Sequence, residues 1–323
     1  MARLQTLIGG RELLLLLVCV AAALVFAWLS PVYLTQGNLA AVVRNSVELM
    51  LIGLGITFLL AVGGIDISVG IVLGLAAIAI GNLLLLGINP WIAAAAGPAV
   101  GLLLGCVTGI VVVFGRIPAI VATIGLLGVY RTAIFLVLGG SWLSGLPSTL
   151  SDVFAARLFD FLPVSYIVIF AAYALAFVAL RKMPFGLHLL AIGNNEERAR
   201  LSGIAVRRVR LIAYAVSGTL CGVAATFYIA TYRNVEMTVG STLALDAIAA
   251  VVLGGTSILG GRASLLGTAL GVILIRMLQN GFTIVGMPSL WQPVVTGALL
   301  ILALLLEQLV SRRPLFRMRA VPA

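Results

Sequence analysis

The sequence predicts an all-α polytopic membrane protein with about ten transmembrane helices. Three observations carry that prediction. Only 9% of the 323 residues are charged and 62% are hydrophobic, whereas a soluble domain carries roughly a quarter charged residues. The apolar residues come in continuous runs, not in the apolar–polar alternation of a membrane-spanning strand. The charges gather in short segments between those runs, which is how helix orientation is encoded.

So few charges cannot clothe a water-facing surface, and the bilayer is the solvent for most of the chain. The formal charge of +10 therefore reads as topology and not as a nucleic-acid footprint. Cys19, Cys106 and Cys221 lie far apart inside apolar runs, with neither metal-ligand nor CxxC spacing, and read as buried, inert thiols.

Helix cores are expected over residues 13–29, 47–62, 69–86, 92–113, 119–138, 164–180, 211–229, 245–258, 265–278 and 293–306. The first follows Arg3 and Arg11 and outruns a signal-peptide core of about 7–15 residues, so it reads as a retained helix. The fourth carries Gly97, Gly101, Gly105 and Gly109, a spacing that lets helix backbones approach in lipid. Gly70 with Gly74, and Gly267 with Gly271, repeat it. Static packing is the simpler reading of these rows, a moving helix interface the sharper one. The eighth and ninth cores are short and glycine-flanked, and are expected to be broken or tilted. The whole of 1–323 reads as one transmembrane domain.

The segment 181–210 holds Arg181, Lys182, Arg198, Arg200, Arg207, Arg208 and Arg210 against Glu196 and Glu197. Its positive balance places it in the cytoplasm. An even number of spans then places both termini there, with the basic head and the tail residues Arg312, Arg313, Arg317 and Arg319. Asp152 and Asp160 fall on the opposite side with Arg157. Trp28, Trp91, Trp142 and Trp291, with Tyr33, Tyr130, Tyr166 and Tyr232, fall near that outer face, as interfacial aromatics do.

No catalytic or metal constellation is legible. His188 is the single histidine and has no carboxylate or cysteine beside it, so it reads as incidental. Lys182 is the single lysine, which excludes a phosphate-cradling GxxxxGK[ST] loop. Energy from ATP would have to come from another chain.

The central loop reads Gly193-Asn194-Asn195-Glu196-Glu197-Arg198-Ala199-Arg200-Leu201-Ser202-Gly203. Asn194 is expected to cap a short helix with Glu197 at its third position. Glu196 and Glu197 suit the positive end of the dipole, and Gly203 is a natural stop. Such a helix serves either as a grip for a partner or as a solvated connector, and both readings stand on these residues alone.

The spacing of Glu197, Ala199 and Gly203 resembles the coupling segment of ABC importer permeases. The stretch 63–70, Gly-Gly-Ile-Asp-Ile-Ser-Val-Gly, resembles a signature of the ribose/xylose/rhamnose/autoinducer-type sugar permeases. So do 245–257, Leu-Asp-Ala-Ile-Ala-Ala-Val-Val-Leu-Gly-Gly-Thr-Ser, and 191–204. The three occur in order along nearly the whole chain. Residues 116–123 and 145–147 look most like the rhamnose and furanosyl-autoinducer members. Leu187, Ile258, Leu259 and Ala263 depart from the family's usual residues. The resemblance implies the ABC importer permease fold in the cell inner membrane, in a non-catalytic subunit without a cofactor of its own. It further implies a cytoplasmic ATPase that binds the ATP, a periplasmic or extracellular solute-binding protein, and a second permease subunit. Asn195, Glu196, Glu197, Ala199 and Gly203 would meet the ATPase.

Gly63, Gly64, Asp66 and Ser68 suggest a helix break at the inner end of the second span. Non-helical backbone there must face protein or a watery cavity. An inner gate is one reading of Asp66, and a cap on the third helix is the other. Glu48 and Asp246 are placed near the outer ends of their spans. Ionisable groups in a membrane are costly and mostly functional, and Arg276 is a possible partner for Asp246, with snorkelling to the interface as the alternative. Gly254 and Gly255 complete the gate and translocation set. Asn45, Ser46, Thr123, Gln279, Asn280 and Thr283 are the polar candidates for a neutral sugar path. The expected function is ATP-driven sugar import by alternating access. An ion-coupled secondary transporter is the alternative, which would need a midplane carboxylate relay or ion site.

Overall fold

A computed structural model describes residues 10–312, apart from 156 and 159–161. Arg3, Asp160, Arg313, Arg317 and Arg319 lie outside the described residues. The chain runs through α1 (Gly10–Leu29), α2 (Gln36–Ala61), α3 (Val69–Leu85), α4 (Pro90–Gly115), α5 (Ala119–Leu138) and α6 (Thr149–Ala155). After a two-residue antiparallel pairing of Arg157–Leu158 with Leu162–Pro163 come α7 (Val164–Arg181), α8 (Pro184–Asn194) and α9 (Glu196–Leu201). The last four are α10 (Val206–Tyr232), α11 (Leu243–Leu253), α12 (Leu265–Ile284) and α13 (Trp291–Arg312). Among the described residues seven helices are long and apolar enough to cross a membrane, and the shorter α3, α11 and α13 are also apolar. The all-α polytopic reading is what the chain folds into.

The backbone of the fold is an antiparallel pair. Gly97, Gly101, Gly105 and Gly109 of α4 meet Gly222, Gly218 and Tyr214 of α10 in register from one end to the other. Helices in lipid gain nothing by hiding apolar surface, so close backbone approach supplies the contact. Beside this pair α2 is buried on every side from Ser46 to Ala61, as expected for a helix that is apolar all round. On α1, α5 and α7, Leu17, Leu24, Val129, Leu136, Phe170 and Leu175 stay exposed and form apolar outer faces.

The structure corrects several sequence expectations. The ninth span is a complete helix of 20 residues; its polar end (Arg276, Gln279, Asn280) hid its length. Only the eighth is short. Its α11 has 11 residues and rises about 16 Å, roughly half a hydrocarbon core of about 30 Å. Non-helical chain after α10, a bridge residue followed by a turn, packs on α3. Val235 pairs with Leu143, whose side chain lies on Gly81 of α3; Val239 lies on Gly74 and Gly240 on Gly70. Val239 and Gly240 thus cover one turn of α3, and Leu143, paired with Val235, continues the cover to Gly81. Non-helical backbone at such depth is tolerated because it is buried in protein, and Val235 is fully buried.

Glu48 is not near a helix end. The polar residues Gln36, Asn38, Arg44 and Asn45 masked the first third of α2, so Glu48 sits mid-helix and buried. The four tryptophans are exposed at the end of the bundle opposite α9. Tyr130 is not among them: it is buried within α5, its hydroxyl donating to the Leu104 carbonyl at 3.2 Å and lying 3.3 Å from Thr108.

Candidate functional site

Five described helices end by the same device, at Gly63, Gly87, Gly203, Gly255 and Gly286, and three of these ends lie in the signature segments. At the end of α2, Gly63 N–H donates to Leu60 O at 2.9 Å and Gly64 N–H to Leu59 O at 2.8 Å. At the end of α11, Gly255 N–H donates to Val252 O at 2.9 Å and Thr256 N–H to Val251 O at 3.2 Å. At the end of α9, Gly203 N–H donates to Arg200 O at 3.0 Å and Ile204 N–H to Ala199 O at 3.1 Å. This is the Schellman pattern, which needs a left-handed residue after the cap. Gly63, Gly255 and Gly203 supply it with φ of 74°, 91° and 82°. Each glycine is therefore fixed by backbone geometry before any functional role is considered.

Beyond Gly64 the chain re-enters through Asp66. Its Oδ1 accepts from Ser68 N–H at 2.8 Å and from the Ser68 hydroxyl at 2.6 Å, all of it buried. Tyr214 of α10 donates its hydroxyl to Ile65 O at 3.2 Å. Ser68, not Asp66, is the cap residue of α3. Asp66 holds the turn that delivers the chain to that helix.

The ends of α2 and α8 and the loop after α11 meet at one point. Gly261 N–H donates to Ala61 O at 3.0 Å. A Cβ on Gly193 would collide with Ala61 O and Gly261 N, and would press on Gly260. Asn194 Nδ2 reaches Gly261 O at 3.5 Å. This role explains a correction: Asn194 closes α8, and Asn195 caps α9, its Oδ1 accepting from Arg198 N–H at 2.9 Å. Glu197 takes Arg200 through both carboxylate oxygens at 2.7 and 2.8 Å instead of closing a capping box. That carboxylate holds the Arg200 guanidinium above its ordinary pKa. Glu196 takes Arg210 at 2.7 Å and ties α9 to α10. Ala199 is buried, while Glu196 and Glu197 stay exposed.

The model of the family "Branched-chain amino acid transport system / permease component" matches residues 38–304. This chain belongs to that permease family. The permease is 34% identical over 281 residues to the "Ribose import permease protein RbsC" of Bacillus subtilis (strain 168), covering 87% of each chain. It is 36% identical over 304 residues to the "Autoinducer 2 import system permease protein LsrC" of Klebsiella pneumoniae subsp. pneumoniae, covering 94% of this chain and 88% of that one. The LsrC protein of Enterobacter sp. (strain 638) is 35% identical over the same length. No solved structure matches the permease significantly. Proteins of this family are transport components and not catalysts, and the permease is one of them.

A second polar locus of the permease lies on α11, α12 and α13. Arg276 does not touch Asp246 directly. Its Nη1 donates to Gln279 Oε1 at 2.9 Å, and Gln279 Nε2 donates to Asp246 Oδ2 at 3.1 Å. The Thr296 hydroxyl adds a further bond to Asp246. The Arg276 charge also acts on Glu48 of α2. Gly254 packs on the Gly267 backbone of α12 and closes this end of α11. Of the polar path residues, Ser46, Thr123 and Thr283 bond carbonyls of their own helices. Asn280 and Asn38 bond each other through both amides, at 2.9 and 3.0 Å. Sequence reasoning missed Tyr214 and the Gly260–Gly261 turn. The double glycine was the available signal for the turn.

The bridge through Gln279 makes the two charges one unit. Asp246→Asn and Arg276→Gln are each expected to destabilise the permease, and the double variant to lose about 0.5–3 kcal/mol less than their sum. Unfolding in detergent of the four proteins measures this, and additive losses would mean that Gln279 isolates the charges.

Proposed function

We propose that this chain is the transmembrane permease subunit of an ATP-driven importer for a sugar or sugar-like solute, working by alternating access. The observation that carries the reading is the junction at Gly193. There two residues, Asn194 and Asn195, separate the short exposed helix α9 from a backbone contact shared by the α2 break and the α11–α12 loop. A force on α9 would reach both breaks without an intervening flexible link. The family name points to amino acids, but the curated relatives are named for ribose and autoinducer 2. At 34–36% identity over most of the chain, they are the better guide to the solute.

In this reading a cytoplasmic ATPase grips Asn195, Glu196, Glu197 and Gly203, with Ala199 packed beneath. A solute-binding protein docks on the tryptophan-bearing end, and a second permease subunit completes the path. The chain sits in the cell inner membrane with 181–210 and both termini cytoplasmic. ATP is bound by the partner and the permease breaks no bond. Closure of the ATPases would move α9 and exchange which side is open, a rigid-body switch. An ion-coupled mechanism finds no support in the named relatives.

Glu196→Lys/Glu197→Lys is the test. Both ion pairs are exposed, and exposed pairs stabilise by only about 0–1 kcal/mol, so the fold is expected to survive. Uptake of labelled ribose or autoinducer 2 into vesicles holding ATP should fall by roughly tenfold or more as the ATPase is lost, the loss of about 1.4 kcal/mol of interface energy. Unchanged uptake, or wild-type uptake without nucleotide, would defeat the reading.

A further inference from the structure

A cavity of about 550 Å3 opens beside α9 and reaches the Gly63–Gly64 turn and Tyr214. Arg116, Arg200, Arg207 and Arg210 line it, against Glu196 as the carboxylate in the lining. Glu196 pairs with Arg210, and Arg200 takes Glu197. Arg116 and Arg207 make no ion pair among the described residues. Arg116 is held at the end of α4 with φ of 54°, a left-handed conformation uncommon for a residue with a side chain. The first residues of α5 and α10, Ala119 and Val206, also border the space. Neither helix receives a side-chain cap, since Pro118 and Ala205 precede them. The Val206 N–H is taken by Ile204 O at 2.9 Å, but the positive ends of both dipoles still face this end of the cavity.

A neutral, hydroxyl-rich solute has no use for such a surplus of positive charge. Positive-inside topology explains basic residues at this end, but it does not explain why four arginines from three parts of the chain border one space. We propose that this cavity is a binding site for a phosphate group. Guanidinium forks match phosphate oxygens in pairs, helix N-termini receive the same anion, and the volume falls within the range of about 300–1,000 Å3 usual for small-ligand sites. A phosphate here would bridge Arg200 of α9, Arg207 of α10 and Arg116 of the α4–α5 turn. It would clamp the exposed helix to the body of the permease, beside the α2 break. The proposal rests on the permease reading only for the cytoplasmic side of the cavity. The phosphate arrives on a soluble compound or as the headgroup of an anionic phospholipid.

The test uses the full permease with its co-purifying ATPase in nanodiscs, without ATP. Equilibrium dialysis measures 32P-labelled inorganic phosphate in phosphatidylcholine discs. Mass spectrometry measures the lipid retained from discs that also hold phosphatidylglycerol. Arg116→Gln/Arg207→Gln is expected to weaken retention of one of these probes at least tenfold. Arg198→Gln/Arg208→Gln removes the same charge outside the cavity and is expected to bind like the wild type. Saturable inorganic phosphate identifies a soluble source, and retention of phosphatidylglycerol alone identifies the headgroup. Retention of neither probe, equal weakening in both variants, or binding to the permease that vanishes once the ATPase is present would overturn the proposal. The last result would make the cavity a docking surface for a protein carboxylate. Should the double variant fail to assemble, Arg207→Gln alone carries the comparison. The importer reading is tested separately, by uptake in Glu196→Lys/Glu197→Lys, so failure to bind phosphate is distinct from failure of that reading.

Discussion

Gly193→Val is expected to cut uptake by roughly tenfold or more while the protein still inserts and assembles. Valine itself costs a helix only a few tenths to about 0.7 kcal/mol relative to alanine, and α8 can carry it. The obstacle is outside the helix. A Cβ at this position lies on Ala61 O and Gly261 N and against the Cα of Gly260. Backbone atoms cannot rotate away as a side-chain tip can, so α8 must part from the α2 break and from the α11–α12 loop. Overpacking of this kind costs about 1–3 kcal/mol, and here the strain falls where the backbones of three segments meet. The expected signature is loss of uptake with ATP hydrolysis retained, because α9 and its exposed glutamates are untouched. Gly128→Val in α5, where nothing lies within 4 Å, serves as the control and should transport normally. Normal uptake by Gly193→Val would show that the junction transmits nothing.

The membrane-crossing pattern was legible because it rests on the strongest signal a chain carries, long apolar runs between clustered charges. The boundaries failed wherever a helix has polar residues that stay buried inside the protein. Gln36 to Asn45 begin α2, and Arg276 to Asn280 belong to α12, yet hydropathy cut both helices short. A buried polar network lowers local hydropathy without ending a helix, and only tertiary partners such as Asn38 with Asn280 reveal why those residues are affordable in lipid. The three signature segments were found by resemblance, but their physical logic was not visible. The Schellman ends at Gly63, Gly203 and Gly255 need backbone angles, which a run of letters does not give. The choice between Asn194 and Asn195 as the cap of α9 turned on a contact 67 residues away. The non-helical stretch 235–240 lacks an apolar run and a helical period, so its packing on α3 was invisible until Gly70 and Gly240 were seen touching.

The glycine row of α4 left open whether α4 and α10 are locked or slide, and Gly101→Val decides it. Gly101 faces the Gly218 carbonyl, and a Cβ there would also lie 2.8 Å from Gly222 N. The reverse contact, Gly218 on Gly101 and Gly105, is equally tight. Two helices of 26 and 27 residues must separate to admit the side chain, and no hydrophobic driving force in lipid offsets the lost packing. A locked pair is expected to lose about 3 kcal/mol or more, the upper end of overpacking in a tight core, seen as a lower midpoint of unfolding in detergent. Gly101→Ala adds one methyl group to the same contact and should lose a substantial part of this. A sliding pair would respond differently, since it must already visit arrangements in which the glycines are apart. Gly101→Ala would then unfold at the wild-type midpoint while uptake falls, because the side chain blocks return to the close arrangement. The geometry favours the locked pair: contact is backbone to backbone at three successive turns, Gly97, Gly101 and Gly105, and the side chains of Leu211 and Tyr214 close on Gly109 at the fourth.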